Sequence, residues 1–470
     1  MDKEEFEIVV RDIFYFIGVF VINTRRLVEK NPVGFDKSGI GVNNFYSLCH
    51  QGYSVGQEKI IKNITVLEKL KFELKINIKQ KDIQVYKRKK AHIEYQLSVL
   101  RKLADVMAWA ILSEHIYKAR RLYLHEKKIP LQKDVKSILK IVKDINSNPL
   151  SFALVSDITS FIQIGDLLVS TIDSENQTRN VEVIEVKTGE MNDKILQLLD
   201  TLETQKCEYL VYDFYKKHGE KGYKQMRRIL NQEKRIAQYY EIIEKNQGVD
   251  PYSKCKTQIV EEKAPLDTYI EEFIKAVKIS KEKGYSYTII DKCLFMGVYK
   301  KDYIKREDAL FKIACSADTN QFEYWEKHHK LKYPTIDLRS QFYNPITRSI
   351  FTISDDIEMI MDVVFGRTLV YLYLDIDNFM SLLKSFGIAC RWSTTKEYEK
   401  KVKDIGKENI IEYENKCIMT GKYDSVLTTG LVGRIFSEWL KPISIVKLIK
   451  RLDIEENKLK ISKTEENCSL

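Results

Sequence analysis

Two acids and a lysine stand where they could bind a cation and steer a water: Asp166, then Glu185-Val186-Lys187. They border two apolar, β-branched runs, Ile164-Gly165-Asp166-Leu167-Leu168-Val169-Ser170-Thr171-Ile172 and Val181-Glu182-Val183-Ile184-Glu185-Val186-Lys187-Thr188-Gly189. The polar stretch 173–180 between them makes the pattern that of a β-hairpin. A ladder symmetrical about that stretch puts Ile172 opposite Val181, Ser170 opposite Val183, Leu168 opposite Glu185 and Asp166 opposite Lys187. Side chains alternate along a strand, so Asp166, Glu185 and Lys187 then leave the same face. Two carboxylates on adjacent strands suit a hard divalent cation such as Mg²⁺ or Mn²⁺, with the Val186 carbonyl as a further oxygen. Such a cation lowers the pKa of its water and neutralises charge on a phosphoryl group. Lys187 could position that water or steady the developing charge.

Acid-x-Lys triplets recur in this chain, in which 31% of residues are charged; Glu73-Leu74-Lys75 and Asp134-Val135-Lys136 are two others. Context separates Glu185 from them. Around Glu73 the odd positions are all polar, as on a solvated face. Around Glu185 both faces are largely apolar, which is how a strand covered on both sides reads. A charge is expensive in such a strand unless it has a partner. The competing reading is a structural Asp166–Lys187 ion pair across the strands, with Glu185 at the wet end.

An acid on one strand followed by acid-x-Lys on the next resembles the hallmark of the PD-(D/E)XK nuclease superfamily, the restriction-endonuclease-like fold. The resemblance covers roughly residues 96–250, and Gly165 stands where the pattern has proline. It implies that Asp166, Glu185 and Lys187 are catalytic, that Asp166 and Glu185 bind Mg²⁺ or Mn²⁺, and that Lys187 orients water on a phosphodiester. It further implies an α/β fold in which a mixed β-sheet core is flanked by helices. The opening helix of that core often lends another acid to the metal; Glu114 is the candidate and Asp105 the rival. A helix after the hairpin can carry a Lys or Gln that meets the scissile strand, a role open to Lys224 and Gln225.

These residues need elements to hold them. No glycine or proline falls between Gly56 and Pro130, so long helices are expected there, broken once near 77–82. Within Tyr95 to Tyr123, Leu97, Leu100, Ala104, Met107 and Ile111 return at helical steps; Glu114 shares that face, and a pair with Lys118 is its bland alternative. Phe152 to Phe161 is the expected first strand, Asn192 to Lys206 a short amphipathic helix, Glu208 to Asp213 a fourth strand and Lys221 to Lys245 a basic helix. Gln247-Gly248-Val249-Asp250-Pro251 reads as a boundary. Past it come a helix (Leu266 to Lys281), a strand (Tyr285 to Tyr299) and another strand (Arg367 to Leu374). The expected organisation is a helical N-terminal region (1–95), the core (96–250) and a C-terminal α/β accessory region (251–470).

Composition narrows the classes. The 470 residues are 44% hydrophobic, enough for real cores rather than disorder. Eight scattered cysteines form no C-x-x-C pair, and a reducing cytoplasm is the expected location. The adjacent His328 and His329 read as a surface pair. The longest apolar run, Ile13 to Ile22, falls short of the ~20 residues a spanning helix needs and reads as a core helix, so no membrane partner is expected. The net charge of +10 favours a polyanionic partner. The basic residues gather at Lys87–Lys90, at Lys118–Arg121 with Lys127 and Lys128, and at Lys216–Arg235, each block with tyrosines that could stack on bases; the plainer reading of each is a solvated face. The function expected from residues and resemblance together is a Mg²⁺-dependent nuclease, endonuclease ahead of exonuclease and DNA ahead of RNA as substrate. The resemblance alone suggests restriction or anti-phage defence; self-association stays open. The alternatives are a catalytically inactive nucleic-acid-binding module on the same fold, or a scaffold whose hairpin charges only pair with one another.

Overall fold

The computed structural model describes residues 1–21, 40–76, 83–113, 116–126, 131, 135–175, 178–187, 189–205, 207, 209–252, 256–259, 266–305, 308–309, 312–313, 323, 327, 333, 335–421 and 424–452. It is a mixed α/β protein of helices and small antiparallel sheets, in two compact units. The first comprises Met1–Glu261 with Ser349–Asp355, the second Glu262–Arg348 with Asp356–Leu470.

The first unit opens with α1 (Lys3–Phe14), started by a capping box between Asp2 and Glu5. A π turn, Tyr15–Val19, continues it and buries Ile17 and Gly18, so the apolar N-terminal run does enter a core. Two long helices follow, α2 (Ile40–Ile76) and α3 (Ile83–Ile111); the break expected near 77–82 lies outside the described residues, and α3 runs through position 95 uninterrupted. The helix expected to reach Tyr123 stops instead at Ile111, and α4 (Ile116–Leu122) takes over. After α5 (Val135–Asn146) comes a three-stranded antiparallel sheet of β1 (Ser151–Val155), β2 (Leu167–Ile172) and β3 (Arg179–Ile184), in the order β1-β2-β3.

The hairpin pairs two residues out of the expected register. Leu168 faces Val183, Ser170 faces Val181 and Ile172 faces Arg179. Arg179 accounts for the shift, because its guanidinium donates to the carbonyls of Ala110 (2.7 Å) and Ile111 (3.4 Å) at the end of α3 and lies over the Tyr46 ring. That anchorage draws Arg179 and Asn180 into the ladder. A two-residue shift preserves the faces, since side chains alternate with period two.

Both outer strands are edges whose backbone groups find side-chain partners. On β1, Gln57 of α2 donates to Ala153 O (3.0 Å) and accepts from Val155 N (2.8 Å), while Asn146 Oδ1 accepts from Ala153 N (2.8 Å). On β3 the Val183 N–H donates to the Tyr240 hydroxyl (2.7 Å). The expectation that the Glu185 strand is covered on both sides is corrected here: Asn180 and Glu182 are exposed, and the strands buried on both faces are β1 and central β2.

The expected first strand, 152–161, ends at Val155 and turns into a 3-10 segment, Ser156–Ile158. The helix after the hairpin is α6 (Glu190–Gln205). The expected fourth strand at 208–213 is not formed by its described residues, which from Tyr209 onward begin α7 (Tyr209–Lys245), a helix that absorbs the basic helix and kinks at Gly219. Their apolar spacing has period 3.6, with Val211 and Phe214 packed on Ile195 while Tyr209, Tyr212 and Tyr215 face water. Gln247–Val249, read as part of a boundary, forms β4 and pairs with β5 (Lys256–Gln258).

The second unit holds α8 (Ile270–Lys283) and a sheet ordered β6-β7-β9-β8. Its strands are β6 (Tyr285–Ile290), β7 (Leu294–Lys300), β8 (Thr335–Asp337) and β9 (Thr368–Leu374). The single strand expected over 285–299 is thus a hairpin, turned at Asp291 and Lys292, both in the left-handed region. A smaller sheet around Lys416–Thr420 and a helix over 442–452 complete the unit. No helix among the described residues is long and apolar enough to cross a membrane. His328, His329 and residues from 453 onward lie outside the described residues.

Asp105 has a structural post. It is fully buried, forms an ion pair with Lys102 (3.1 Å) and accepts hydrogen bonds from the Ser160 amide (2.7 Å) and hydroxyl. Next to it, Arg101 donates to the carbonyls of Asp157 (2.6 Å) and Thr159 (3.3 Å). Together they clamp the segment between β1 and β2 onto α3. Asp105→Ala would remove the carboxylate that balances the buried Lys102 ammonium, with an expected loss of about 3–5 kcal/mol. Urea unfolding of the variant measures it, and a loss under 1 kcal/mol would refute the clamp.

Candidate active site

The ladder of β2 and β3 ends at Leu167–Ile184, and continuing that register places Asp166 opposite Glu185 rather than Lys187. Past the end of the ladder the strands remain joined. The Asp166 N–H donates to Ile184 O (2.8 Å), and the Val186 N–H donates to Asp166 Oδ2 (2.7 Å). Gly165, with φ +73°, makes the preceding turn; a Cβ there would lie 2.4 Å from Val183 Cγ1.

Lys187 pairs with Glu185, not with Asp166. Its Nζ lies 3.2 Å from Glu185 Oε1 and donates to Gln232 Oε1 (2.7 Å), while Gln232 Nε2 donates back to Glu185 Oε1 (2.5 Å). Glu185, Lys187 and Gln232 therefore close a ring of contacts. Gln232 comes from α7 and does what the sequence offered to Lys224 or Gln225. Gln225 lies seven residues earlier on α7, two turns back, and bonds Asn192 instead (2.9 Å); Lys224 bonds Glu220 (2.7 Å).

The acids border a cavity of about 610 Å³. Asp157, from the 3-10 segment after β1, lines it as well and is an acid the sequence reading missed, hidden inside an overlong first strand. Part of the wall is cationic. Lys224, Arg228 and Arg235, four and seven residues apart and so on one side of α7, line the cavity with Arg227 beside them. Of the three basic blocks, the last supplies this wall. Asp105 is not among the lining residues, and Glu114 lies outside the described residues.

Burial raises the Asp166 carboxyl above its ordinary pKa, opposed by the Val186 hydrogen bond and reinforced by Asp157; Lys187 and Arg228 pull it down. Glu185 is raised by burial first and Asp166 second, against Lys187 and Arg228. Burial thus disfavours the charged form of both carboxyls, and a neighbouring acid adds to the rise at each, Asp157 at Asp166 and Asp166 at Glu185. Asp166 Oδ1 and Glu185 Oε2 receive no hydrogen bond from any described residue. Among the described residues no cluster of three or more His, Cys, Asp or Glu is arranged to hold a metal. Mg²⁺ commonly takes only one or two carboxylates and completes its shell with water, so the Asp166–Glu185 pair fits that ion.

No protein-family model, no curated protein and no solved structure matches this chain.

The raised pKa values have a sign that can be measured. Between the ordinary carboxylate value, ~4, and the raised one, the folded protein holds more protons than the unfolded chain. Stability therefore falls as pH rises through that window. In EDTA at pH 7, Asp166→Asn should melt higher than wild type, since the amide oxygen can still accept from Val186 while the repulsion is gone. The gap should close toward pH 4. Mg²⁺ should raise the wild-type Tm by mass action and leave the variant unmoved. A variant melting lower in EDTA, beside a wild type indifferent to Mg²⁺, would assign the acids to fold stability alone.

Proposed function

We propose that this chain is a Mg²⁺- or Mn²⁺-dependent nuclease with a restriction-endonuclease-like core. The observation that carries the reading is the meeting of Asp166, Glu185 and Lys187 at one end of a hairpin, the two acids lining a cavity that the cations of α7 also line. Helix α3, three strands and α6 come in the order expected of such a core; the sheet departs from it in being wholly antiparallel rather than mixed, and α7 stands where the fourth strand would be.

Asp166 and Glu185 would hold the cation, which when bound supplies an acidified water and neutralises charge on the scissile phosphate. Lys187 commits donors to Glu185 and Gln232 and keeps one N–H for a water or phosphoryl oxygen. Gln232 is a positioning residue, fixing the ammonium in a ring that excludes other rotamers. In the net reaction water adds to phosphorus, one P–O ester bond breaks, and the departing oxygen leaves protonated. The cations of α7 would take neighbouring phosphates of the polyanion.

One observation favours a second reading: Glu185 Oε1 is already bonded to both Lys187 and Gln232, as expected of a module that binds nucleic acid without cutting it. Metal dependence separates the two. The nuclease cuts DNA or RNA with Mg²⁺ or Mn²⁺ and stops in EDTA; the module binds without metal and never cuts.

Lys187→Ala should lower cleavage at least ~10²-fold, the size expected for one electrostatic stabiliser, while the Mg²⁺-dependent rise in Tm survives. Cleavage at the wild-type rate would remove Lys187 from the chemistry. With Ca²⁺ in place of Mg²⁺, the double change Lys224→Glu and Arg227→Glu should flatten the log–log salt dependence of duplex binding by roughly 1–2 units, about 0.9 per lost phosphate contact. An unchanged slope would return both side chains to a solvated face.

A further inference from the structure

Beside the cavity three aromatic rings from outside the helices and strands meet in the order Tyr123, His125, Tyr252. The Tyr123 and His125 centroids are 4.4 Å apart with the planes tilted at 42°, and His125 and Tyr252 stack with centroids 4.3 Å apart and planes at 26°. Buried aromatic pairs are ordinary core. This stack is in water, with His125 exposed and Tyr252 53% exposed.

The stack is held in place from two sides. His125 has φ +57°, in the left-handed region that non-glycine residues seldom occupy. The amides on either side of it, Leu124 (2.8 Å) and Glu126 (3.3 Å), both donate to Gln163 Oε1, and Gln163 Nε2 donates to Glu126 O (2.6 Å). Tyr252 is set by the nearly buried Asp250, which accepts from the Tyr252 amide (3.1 Å) and from the Arg121 guanidinium. A backbone strained and pinned to present rings to solvent gains little from burial, and such strain concentrates at functional sites. Gln163 and Glu126 themselves line the cavity that holds Asp166 and Glu185.

We infer that the Tyr123–His125–Tyr252 stack is a platform for an unpaired nucleobase, so that the site takes single-stranded nucleic acid. The inference rests on the nuclease reading and specifies its substrate. A cationic track for phosphates beside an aromatic face for bases is the combination that binds single strands, because every base has a π-face. In a duplex the base faces are already stacked on one another and must be unpaired to reach the rings. The cations of α7 supply the track, with Arg235 paired to Glu126 (3.2 Å) directly after His125 in sequence.

The test is binding and cleavage on three fluorescent probes: a twelve-residue oligothymidylate, an abasic strand of the same length and charge, and a blunt duplex. In Ca²⁺, wild type should bind the oligothymidylate over the abasic strand by roughly 5- to 150-fold, the worth of one stacked base. Tyr252→Ala should bring that ratio toward one, and Tyr252→Phe, which keeps the ring, should retain it. A wild-type ratio near one, or a ratio unchanged in Tyr252→Ala, overturns the platform. Cleavage in Mg²⁺ is read separately. A base preference that depends on Tyr252, with no strand cut, would sink the nuclease and leave the platform; cleavage of duplex as fast as single strand, with a ratio of one, would do the reverse.

Discussion

The site depends on one hydrogen bond, from the Val186 N–H to Asp166 Oδ2. A two-stranded ladder that ends at Leu167 and Ile184 leaves the next residues free to diverge, and sheet twist encourages them to. Here a side-chain carboxylate continues the pairing after the backbone ladder stops. It holds the Glu185–Lys187 segment over Asp166, so the second acid and the lysine cannot swing away. The same bond occupies one Asp166 oxygen, opposes the effect of burial on that carboxyl, and leaves the other oxygen for a ligand.

Putting two carboxylates together in a half-buried place is unfavourable, and the surrounding fold is arranged to hold them against that repulsion. From one side α3 clamps the segment that carries Asp157 and leads to Asp166, through Arg101 on its carbonyls and the buried Lys102–Asp105–Ser160 cluster. From the other side α7 delivers Gln232 to Lys187 and sets Arg228 close enough to bias both acids. Removing a partner from such a network costs more than the network contributes when intact, because a buried group left unpaired loses its water and gains nothing. That asymmetry explains why Asp105, an attractive candidate ligand in the sequence, is required where it is and unavailable to a metal.

The legible part of the site was its parity. Alternation put Asp166, Glu185 and Lys187 on one face, and a two-residue error in register left that face intact. The register itself was not legible, because Arg179 sets it by reaching the end of α3, a contact 69 residues away in sequence that no local pattern announces. Edge and centre also look alike in the sequence: Val181, Val183, Ile184 and Val186 read as a covered strand, yet β3 is an edge whose Asn180 and Glu182 face water, and in this sheet β2 alone lies between neighbours. Residues 209–213 are β-branched and aromatic enough to read as a strand; their commitment to a helix comes from Val211 and Phe214 packing on Ile195, a tertiary choice. Gln232 could have been found, since it lies two turns from Gln225 on the same helix. Asp157 could not, because it follows a strand end placed six residues too late.

The sheet's small size bears on how anything reaches the acids. Three strands make a marginal sheet unless their outer backbone groups are answered, and here Gln57 and Asn146 answer β1 while Tyr240 answers β3. The answered positions, Ala153, Val155 and Val183, do not offer their outward groups to a further strand. A ligand strand cannot join by extending the sheet at those points, and β2 is buried on both faces. The open approach to Asp166 and Glu185 is the end of the strands, where the cavity separates them from the cations of α7. Closing the edges with side chains thus stabilises the sheet and directs a polyanion to the one end where acids, lysine and cations meet.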